Sequence, residues 1–587
     1  MIRLTEKQLK DKVKFVYDYC AASNASSGSA VDSNANVTNK NIVTLSSELN
    51  KDVTIQVNRA LVSDFIDEKY RDKYLHDLEK HLIYTHDESS LMPYCVSVNL
   101  WPFITDGMKA LGENGSEAPK HLRSFCGGFV NLVQYIASHF AGAVATVEFL
   151  MYFDHFARKD YGDDYLNTHK NIIEQEMQGV VYLLNQDSSA RGGQSVFWNI
   201  STYDKPFFEG IFGGFSFPDF DKPTWEQMDK IQRFFHEWFR EERNNSLLTF
   251  PVVTQASIGT DGQMVDRDTH EWLAEEMAQG GEFFTYTSES ADSLASCCRL
   301  KNEVDTTQEF SFSLGAGGVA TGSKNVITIN MNRLVQTGEV LEDVIDRVHQ
   351  YQLGFEKLYN WQQEQGLLPV FDAGYISLDK QFLTLGINGI LESAEYLGLT
   401  PGNNPEYLKY IEETVKTFKV INKAAGKKYG VKFNTEVVPA ENLGVKNATW
   451  DKADGLKVNR ECYNSYFYIV ENDDNTLDKM IMHGSQIVGN LDGGSAFHDN
   501  RDERLSKEQY MILLDNLVKT GCNYYCENVP STICNECDTI IKNKEHKCPK
   551  CGSEDVDYGT RVIGYLKRTK NFSEARQDEE QLRHYGE

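Results

Sequence analysis

No stretch of this 587-residue chain is apolar for long enough to cross a membrane. The most apolar segment, from Ile136 to Phe156, is interrupted by His139, Glu148 and Asp154. The N-terminal residues MIRLTEKQLKDKVKF have no apolar core of the kind a secretory signal carries, so a soluble, cytoplasmic protein is expected. Positive charge is scarce: 59 Lys and Arg stand against 86 Asp and Glu, a net charge of −27. That balance argues against general nucleic-acid binding, which needs a basic face to release counterions. It leaves open a nucleotide substrate, which a local pocket of amides and a few cations can hold. Cysteine is thin as well. Twelve spread over such a length do not make a disulfide scaffold, and in a reducing compartment clustered ones point to metal or catalysis. No internal repeat is visible.

What is present suits a large folded core: 41% hydrophobic residues and 12% aromatics in 66.7 kDa. Length suggests a few domains or one large α/β unit. Residues 21–40, AASNASSGSAVDSNANVTNK, have the composition of a linker. Beyond Lys51, helical patterns alternate with short apolar runs. Ile136 to Arg158 reads as one buried helix, closed by Lys159 and Gly162. Thr224 and Gln227 form a capping box ahead of Trp225, Met228, Ile231, Phe235 and Trp238, which recur at helical spacing and read as core. LLTFPVVTQAS from Leu247 and NVITINM from Asn325 read as strands, and a helix is expected over Leu341–Leu358. Strands alternating with helices imply a parallel α/β architecture, with chemistry at strand ends or on inserted loops.

The strongest local signal is CNEC, with Cys534 and Cys537, followed after ten residues by CPKC, with Cys548 and Cys551. Two such knuckles present four thiolates tetrahedrally, the pattern of a structural zinc ribbon with no position open for catalysis. Iron is the weaker alternative. Acidic Glu536, Asp538, Glu554 and Asp555 beside it disfavour nucleic-acid contact. RVIGYL, Arg561 to Leu566, follows closely. It reads either as an apolar strand bent at Gly564 or as a loop storing a radical on that glycine. Only glycine can lose an α-hydrogen and become planar without a side-chain clash. Such a radical needs a cysteine to receive it. ASCCRLKN supplies Cys297 and Cys298, and MPYCVSV supplies Cys95; taken singly, each reads as a small buried hydrophobe.

As an ordered set, DSNANVTNKN, THDESSLMPYC, SCCRL, VITINMNRL, FNTEVVPAENL, LDGGSAFH, the paired C-x2-C and RVIGYL resemble the anaerobic (class III) ribonucleoside-triphosphate reductases, particularly the shorter phage-type enzymes. The likeness spans most of the chain from about Val31 onwards. It implies a ten-stranded α/β barrel of two five-stranded halves with a threaded finger loop. The expected organisation is an N-terminal segment over 1–30 without an ATP-cone, a barrel with dimer and effector helices over 31–520, and the zinc ribbon and glycyl radical loop over 521–587. NANV, residues 34–37, then changes from linker to a family motif expected to be ordered.

The resemblance also implies roles. Gly564 would store the radical, and Cys298, which precedes Arg299, would become the thiyl that takes the ribose 3′ hydrogen. Cys95 would supply a proton and reducing equivalent, and Asn330 would hydrogen-bond the ribose hydroxyls. Formate is the implied reductant, with a thioredoxin-like protein as alternative. Implied partners are ribonucleoside triphosphates, effector deoxynucleotides or ATP, a second copy of the chain, and a radical-SAM activating protein. The iron–sulfur cluster belongs to that activating protein, since this chain has no C-x3-C-x2-C motif; neither flavin nor haem is expected. No direct nucleic-acid partner or membrane is implied, and a phage-encoded enzyme would work in the host cytoplasm. The glycine-rich LGAGGVATGS, 314–323, and Glu441 of PAENL are left without firm roles. The rival readings are a pyruvate formate-lyase-like glycyl radical acyltransferase and a zinc-ribbon nucleic-acid binder.

Overall fold

The computed structural model describes residues 4–25, 40–112, 114–188, 192–291, 293–295, 301–303, 319–437, 442–561, 564 and 566–586. Residues 34–37, Cys297, Cys298 and Glu441 lie outside this set. Among the described residues no helix is long and apolar enough to cross a membrane.

Ten strands make the frame. In chain order they are β1 (Cys95–Ser97), β2 (Val144–Ala145), β3 (Trp198–Tyr203), β4 (Val252–Thr260), β5 (Phe284–Ser288), β6 (Thr321–Asn330), β7 (Gln381–Asn388), β8 (Phe433–Glu436), β9 (Phe497–Asn500) and β10 (Tyr524–Asn528). Strands β1 to β5 run parallel in sequence order. So do β6, β7 and β8, and so do β9 and β10. The two halves meet antiparallel at β1–β6 and at β5–β10. A parallel bridge between Glu436 and Gly494, with Gly493 N donating to Thr435 O at 2.8 Å, joins the end of β8 to the approach to β9. The path therefore closes into the expected barrel of two five-stranded halves.

Helices fill the crossovers and cover the outside. Trp198 on β3 packs against Phe129 and Phe149 of the helices Leu122–Ala137 and Phe149–Tyr161, with centroids 5.7 and 5.2 Å away. Successive side chains on a strand alternate faces, so Asn199, beside Trp198, points into the lumen. The helix Trp225–Glu242 carries the expected capping box, and Met228, Ile231, Phe235 and Trp238 are buried. The strand expected from Leu247 starts at Val252, after Pro251, which has no N–H for the ladder.

The expected single helix from Ile136 to Arg158 is not there. One helix ends at Ala137, strand β2 occupies Val144–Ala145, and a second helix runs Phe149–Tyr161. A two-residue strand inside a continuous apolar run leaves no period-2 signal to read.

Candidate active site and metal centre

Alternation and register together define the lumen wall. Ser97, Ala145 and Asn199 lie side by side across β1, β2 and β3. Cys95, two residues before Ser97, shares their face and packs against Ala143 and Phe197. It is buried, at 5% exposure. Ser323 of β6 stands opposite Cys95, and its hydroxyl lies 2.7 Å from that of Thr384, which neighbours Asn434 on β8. Backbones approach closely here. A Cβ on Gly322 would come within 2.2 Å of the Cys95 carbonyl oxygen, so glycine is required.

This wall is polar and undersupplied with partners. Among the described residues, Ser97 Oγ and both amide atoms of Asn199 and of Asn434 are buried without a hydrogen bond. A buried amide left unpaired costs on the order of 1–3 kcal/mol. Side chains of this kind facing a lumen are suited to a ligand that both donates and accepts.

Asn330 lies elsewhere. It ends β6, seven residues beyond Ser323, or about 20 Å along the strand. Its Oδ1 accepts from Arg333 N at 3.1 Å as a helix cap, and its Nδ2 donates to Asp451 at 3.1 Å. Asp451 also accepts from Arg333 Nε at 2.7 Å and the Tyr463 hydroxyl at 2.6 Å. The structure does not bring Asn330 together with Cys95. Of the glycine-rich segment, Val319 to Ser323 is described; Val319 and Ala320 are buried and Thr321–Ser323 belong to β6.

After β5 the chain forms an antiparallel pair, Ser293–Ala295 with Lys301–Glu303. Cys297 and Cys298 belong to the segment joining Ala295 to Lys301, outside the described residues.

The C-terminal region is a separate sheet of β11 (Ser531–Cys534), β12 (Ile540–Ile541), β13 (Val556–Arg561) and β14 (Leu566–Arg568). The sulfurs of Cys534, Cys537, Cys548 and Cys551 all lie within 4.8 Å of one another, with Cys534–Cys551 at 3.5 Å and Cys537–Cys548 at 3.7 Å. Zn–S bonds of about 2.3 Å in a tetrahedron put sulfurs about 3.8 Å apart, so the cluster fits zinc. Hydrogen bonds from the Thr539 hydroxyl and amide pull the Cys537 thiol down and backbone hydrogen bonds pull Cys548 down, whereas Cys551, despite a backbone hydrogen bond at Ser553, is pushed up by the neighbouring Cys534 and Cys537 sulfurs. One zinc per chain is expected by elemental analysis. Cys548→Ser should lower that content and, with it, any function of the segment β13 carries; full zinc occupancy in this variant would contradict the assignment.

Strand β11 ends at Cys534 and pairs with β13, whose last residue, Arg561, pairs with Leu566. Gly564 lies between them and is buried. The ribbon thus grips the strand that delivers Gly564. A buried ionic junction ties this assembly to the barrel: Glu282, just before β5, faces Arg504 at 3.4 Å, Arg243 at 3.6 Å and Lys542 of the ribbon at 3.9 Å. Burial alone would raise the Glu282 carboxyl. Lys542, Arg243, Arg504 and Arg561 outweigh it and hold the group down to about 2. Cys526, on β10 opposite Phe284, is a buried thiol pushed up to about 12 by desolvation.

A cavity of about 350 Å³ opens beside the strand Ile83–Thr85, which pairs with β6. In its wall His81 stacks on Trp450 at 4.1 Å, and Lys446 stands 5.3 Å from the Tyr84 ring. Lys51, Arg59, Glu79, Asp87 and Glu88 also line it, and Arg59 pairs with Glu88 at 2.6 Å. Sequence reasoning missed this cavity, the lumen amides and the Glu282 junction, none of which leaves a local motif.

A family model described as anaerobic ribonucleoside-triphosphate reductase matches residues 33–585. Among solved structures, an anaerobic ribonucleotide reductase superposes with a TM-score of 0.86 at 24% identity, covering 98% of this chain and 93% of that one. The enzyme from Thermotoga maritima with glycerol in its active site gives 0.84 at 24% identity, covering 98% and 94%. The Thermotoga maritima enzyme in complex with dATP and CTP gives 0.82 at 22%, covering 99% and 100%. No curated protein matches the chain by sequence. At these identities the solved structures establish a common fold.

Proposed function

Because the chain belongs to the anaerobic ribonucleoside-triphosphate reductase family, we propose that it removes the ribose 2′ hydroxyl by glycyl and thiyl radical chemistry, with formate as reductant. The observation that carries this reading is the buried Gly564, held by a metal-fitting ribbon and joined to the barrel that exposes Cys95 to its lumen. A radical on Gly564 takes the hydrogen atom of the Cys298 thiol. The resulting thiyl takes the 3′ hydrogen of the ribose. The 2′ hydroxyl, protonated, leaves as water. Cys95 gives a hydrogen atom, a proton with one reducing equivalent, to C2′, and its sulfur radical pairs transiently with Cys298; formate then returns a hydrogen atom to Cys95 and, in becoming CO2, passes its second electron with a proton to the 3′ ketone, which frees the Cys298 thiol. The 3′ hydrogen then returns, and the thiyl regenerates the glycyl radical. Overall, ribonucleotide, formate and a proton become deoxyribonucleotide, CO2 and water, formate giving up two electrons.

Asn330, expected from the resemblance to hold the ribose, spends its amide on Asp451. We therefore place the sugar against Asn199 and Asn434, whose donors and acceptors match a pair of hydroxyls. Effector nucleotides and a second copy of the chain would engage the helical region around Met108 to Lys159, as the family resemblance implies. The radical would be installed by a separate radical-SAM activating protein. The four cysteines would hold zinc as a structural clamp.

Anaerobic incubation of activated protein with a ribonucleoside triphosphate and 13C-formate is expected to give deoxynucleotide and labelled CO2. Absence of deoxynucleotide sinks the reading. Product formed only with a thioredoxin system would reassign the reductant.

A further inference from the structure

The residue that opens RVIGYL is built into the site more firmly than the motif reading required. Arg561 is buried, at 4% exposure. Its N–H donates to Asn528 Oδ1 at 2.9 Å, and its carbonyl accepts from Arg583 Nη1 at 2.9 Å. Its guanidinium lies over the Phe284 ring, 5.0 Å from the centroid. Among the described residues no carboxylate lies within 4 Å of that guanidinium; Glu282 makes its ion pairs with Arg243, Arg504 and Lys542 instead. What the guanidinium does meet is Gly564: Nη1 donates to its carbonyl oxygen at 3.4 Å.

Glu282, which Arg561 helps hold ionised, makes its close ion pairs with the other three cations, so the hydrogen bonds of the Arg561 guanidinium are left for another acceptor. The placement makes sense if the carbonyl gathers negative charge in a working state. A glycyl radical supplies that state. Its unpaired electron is shared between the amide nitrogen, which pushes density, and the carbonyl, which draws it towards oxygen. A charge-assisted donor on that oxygen strengthens the pull.

We propose that Arg561 is a positioning residue that fixes the Gly564 carbonyl and biases the unpaired electron towards glycine. This rests on the reading of Gly564 as the radical store. One hydrogen atom moves between Cys298 sulfur and Gly564 Cα. In the forward direction the S–H bond breaks as the Cα–H bond forms, leaving a thiyl; the return reverses both. Arg561 lowers the energy of the glycyl side of that exchange, so the thiyl exists only briefly. Arg583, fixed in turn by Glu579 at 2.9 Å, holds the backbone from which the guanidinium reaches.

The test uses the full chain with its activating protein. Wild type should give a glycyl doublet by electron paramagnetic resonance; its absence would sink the Gly564 reading rather than this one. In Arg561→Gln the doublet should still form, while the high-field spectrum shows an enlarged g-anisotropy. The radical should decay about tenfold faster, the equivalent of one charge-assisted hydrogen bond. Arg561→Lys, which keeps a cationic donor, should fall between. Arg583→Gln loosens the loop but leaves the guanidinium, and its g-values should match wild type. A g-tensor and lifetime unchanged in Arg561→Gln would overturn the proposal. So would a g-shift as large in Arg583→Gln, because any loosening of the loop would then suffice.

Discussion

Air admitted to the activated enzyme is expected to cut the backbone at Gly564 and release the short segment that follows it. Oxygen adds to a carbon-centred radical, and the peroxyl formed on a peptide Cα breaks the chain there. Mass spectrometry of the intact protein before and after aeration reads the result directly. The expectation depends on position as well as chemistry. Gly564 is buried and its strand is fixed at one end by the cysteine cluster and at the other by Arg583. Before aeration, that setting should keep the radical long-lived. Gly564→Ala should abolish the doublet, the cleavage and all turnover, because an alanyl Cα cannot flatten beside its methyl group in so closed a site. It should leave zinc content at wild-type level, since the four cysteines lie outside the loop. An uncut chain carrying a verified radical would remove the central claim.

How much of this was legible in the sequence depended on how local the determining physics is. The cysteine quartet was readable because tetrahedral thiolate geometry needs only short knuckles, and the four sulfurs do converge. The capping box at Thr224 was readable for the same reason: both of its hydrogen bonds lie within four residues. The helix from Leu341 was found, though it continues to Glu364. Strand β2 was not found. It is two residues long, buried, and flanked by helix-forming apolar residues, so only its pairing with β1 and β3 marks it.

The site divides along the same line. Cys95 could be singled out by its motif, and the barrel places it on the lumen face. Asn330 shows the limit of that approach. A motif identifies a residue, but its role follows from which neighbours claim its amide, and Asp451 is 121 residues away. Asn199 and Asn434 carry no local signal, since what distinguishes them is the absence of a partner among the described residues of the barrel. The Glu282 junction gathers Arg243, Arg504 and Lys542 from distant segments and could emerge only from the fold. Arg561 is the case between: it stands in the motif, yet its reach to the Gly564 carbonyl is a matter of geometry.

The adjacent cysteines give the second large effect. Cys298→Ser should lower turnover by about 10³-fold or more, a barrier increase of at least 4 kcal/mol. The cause is bond strength: an O–H bond is much stronger than an S–H bond, so a glycyl radical cannot take hydrogen from serine. Cys297→Ser should retain most activity, because the resemblance gives the thiyl role to the cysteine preceding Arg299. The two substitutions are nearly identical in size and polarity, so packing alone would predict similar losses. Cys95→Ser separates the next step. It leaves the glycyl radical and its exchange with Cys298 intact, so 3′ hydrogen abstraction still occurs. The substrate radical then lacks its reductant, and the doublet should vanish when nucleotide is added while remaining stable without it. Cys298→Ser should keep its doublet under both conditions. Equal losses in Cys297→Ser and Cys298→Ser would reject the assignment of the thiyl. A Cys95→Ser doublet indifferent to nucleotide would show that Cys95 does not act after hydrogen abstraction.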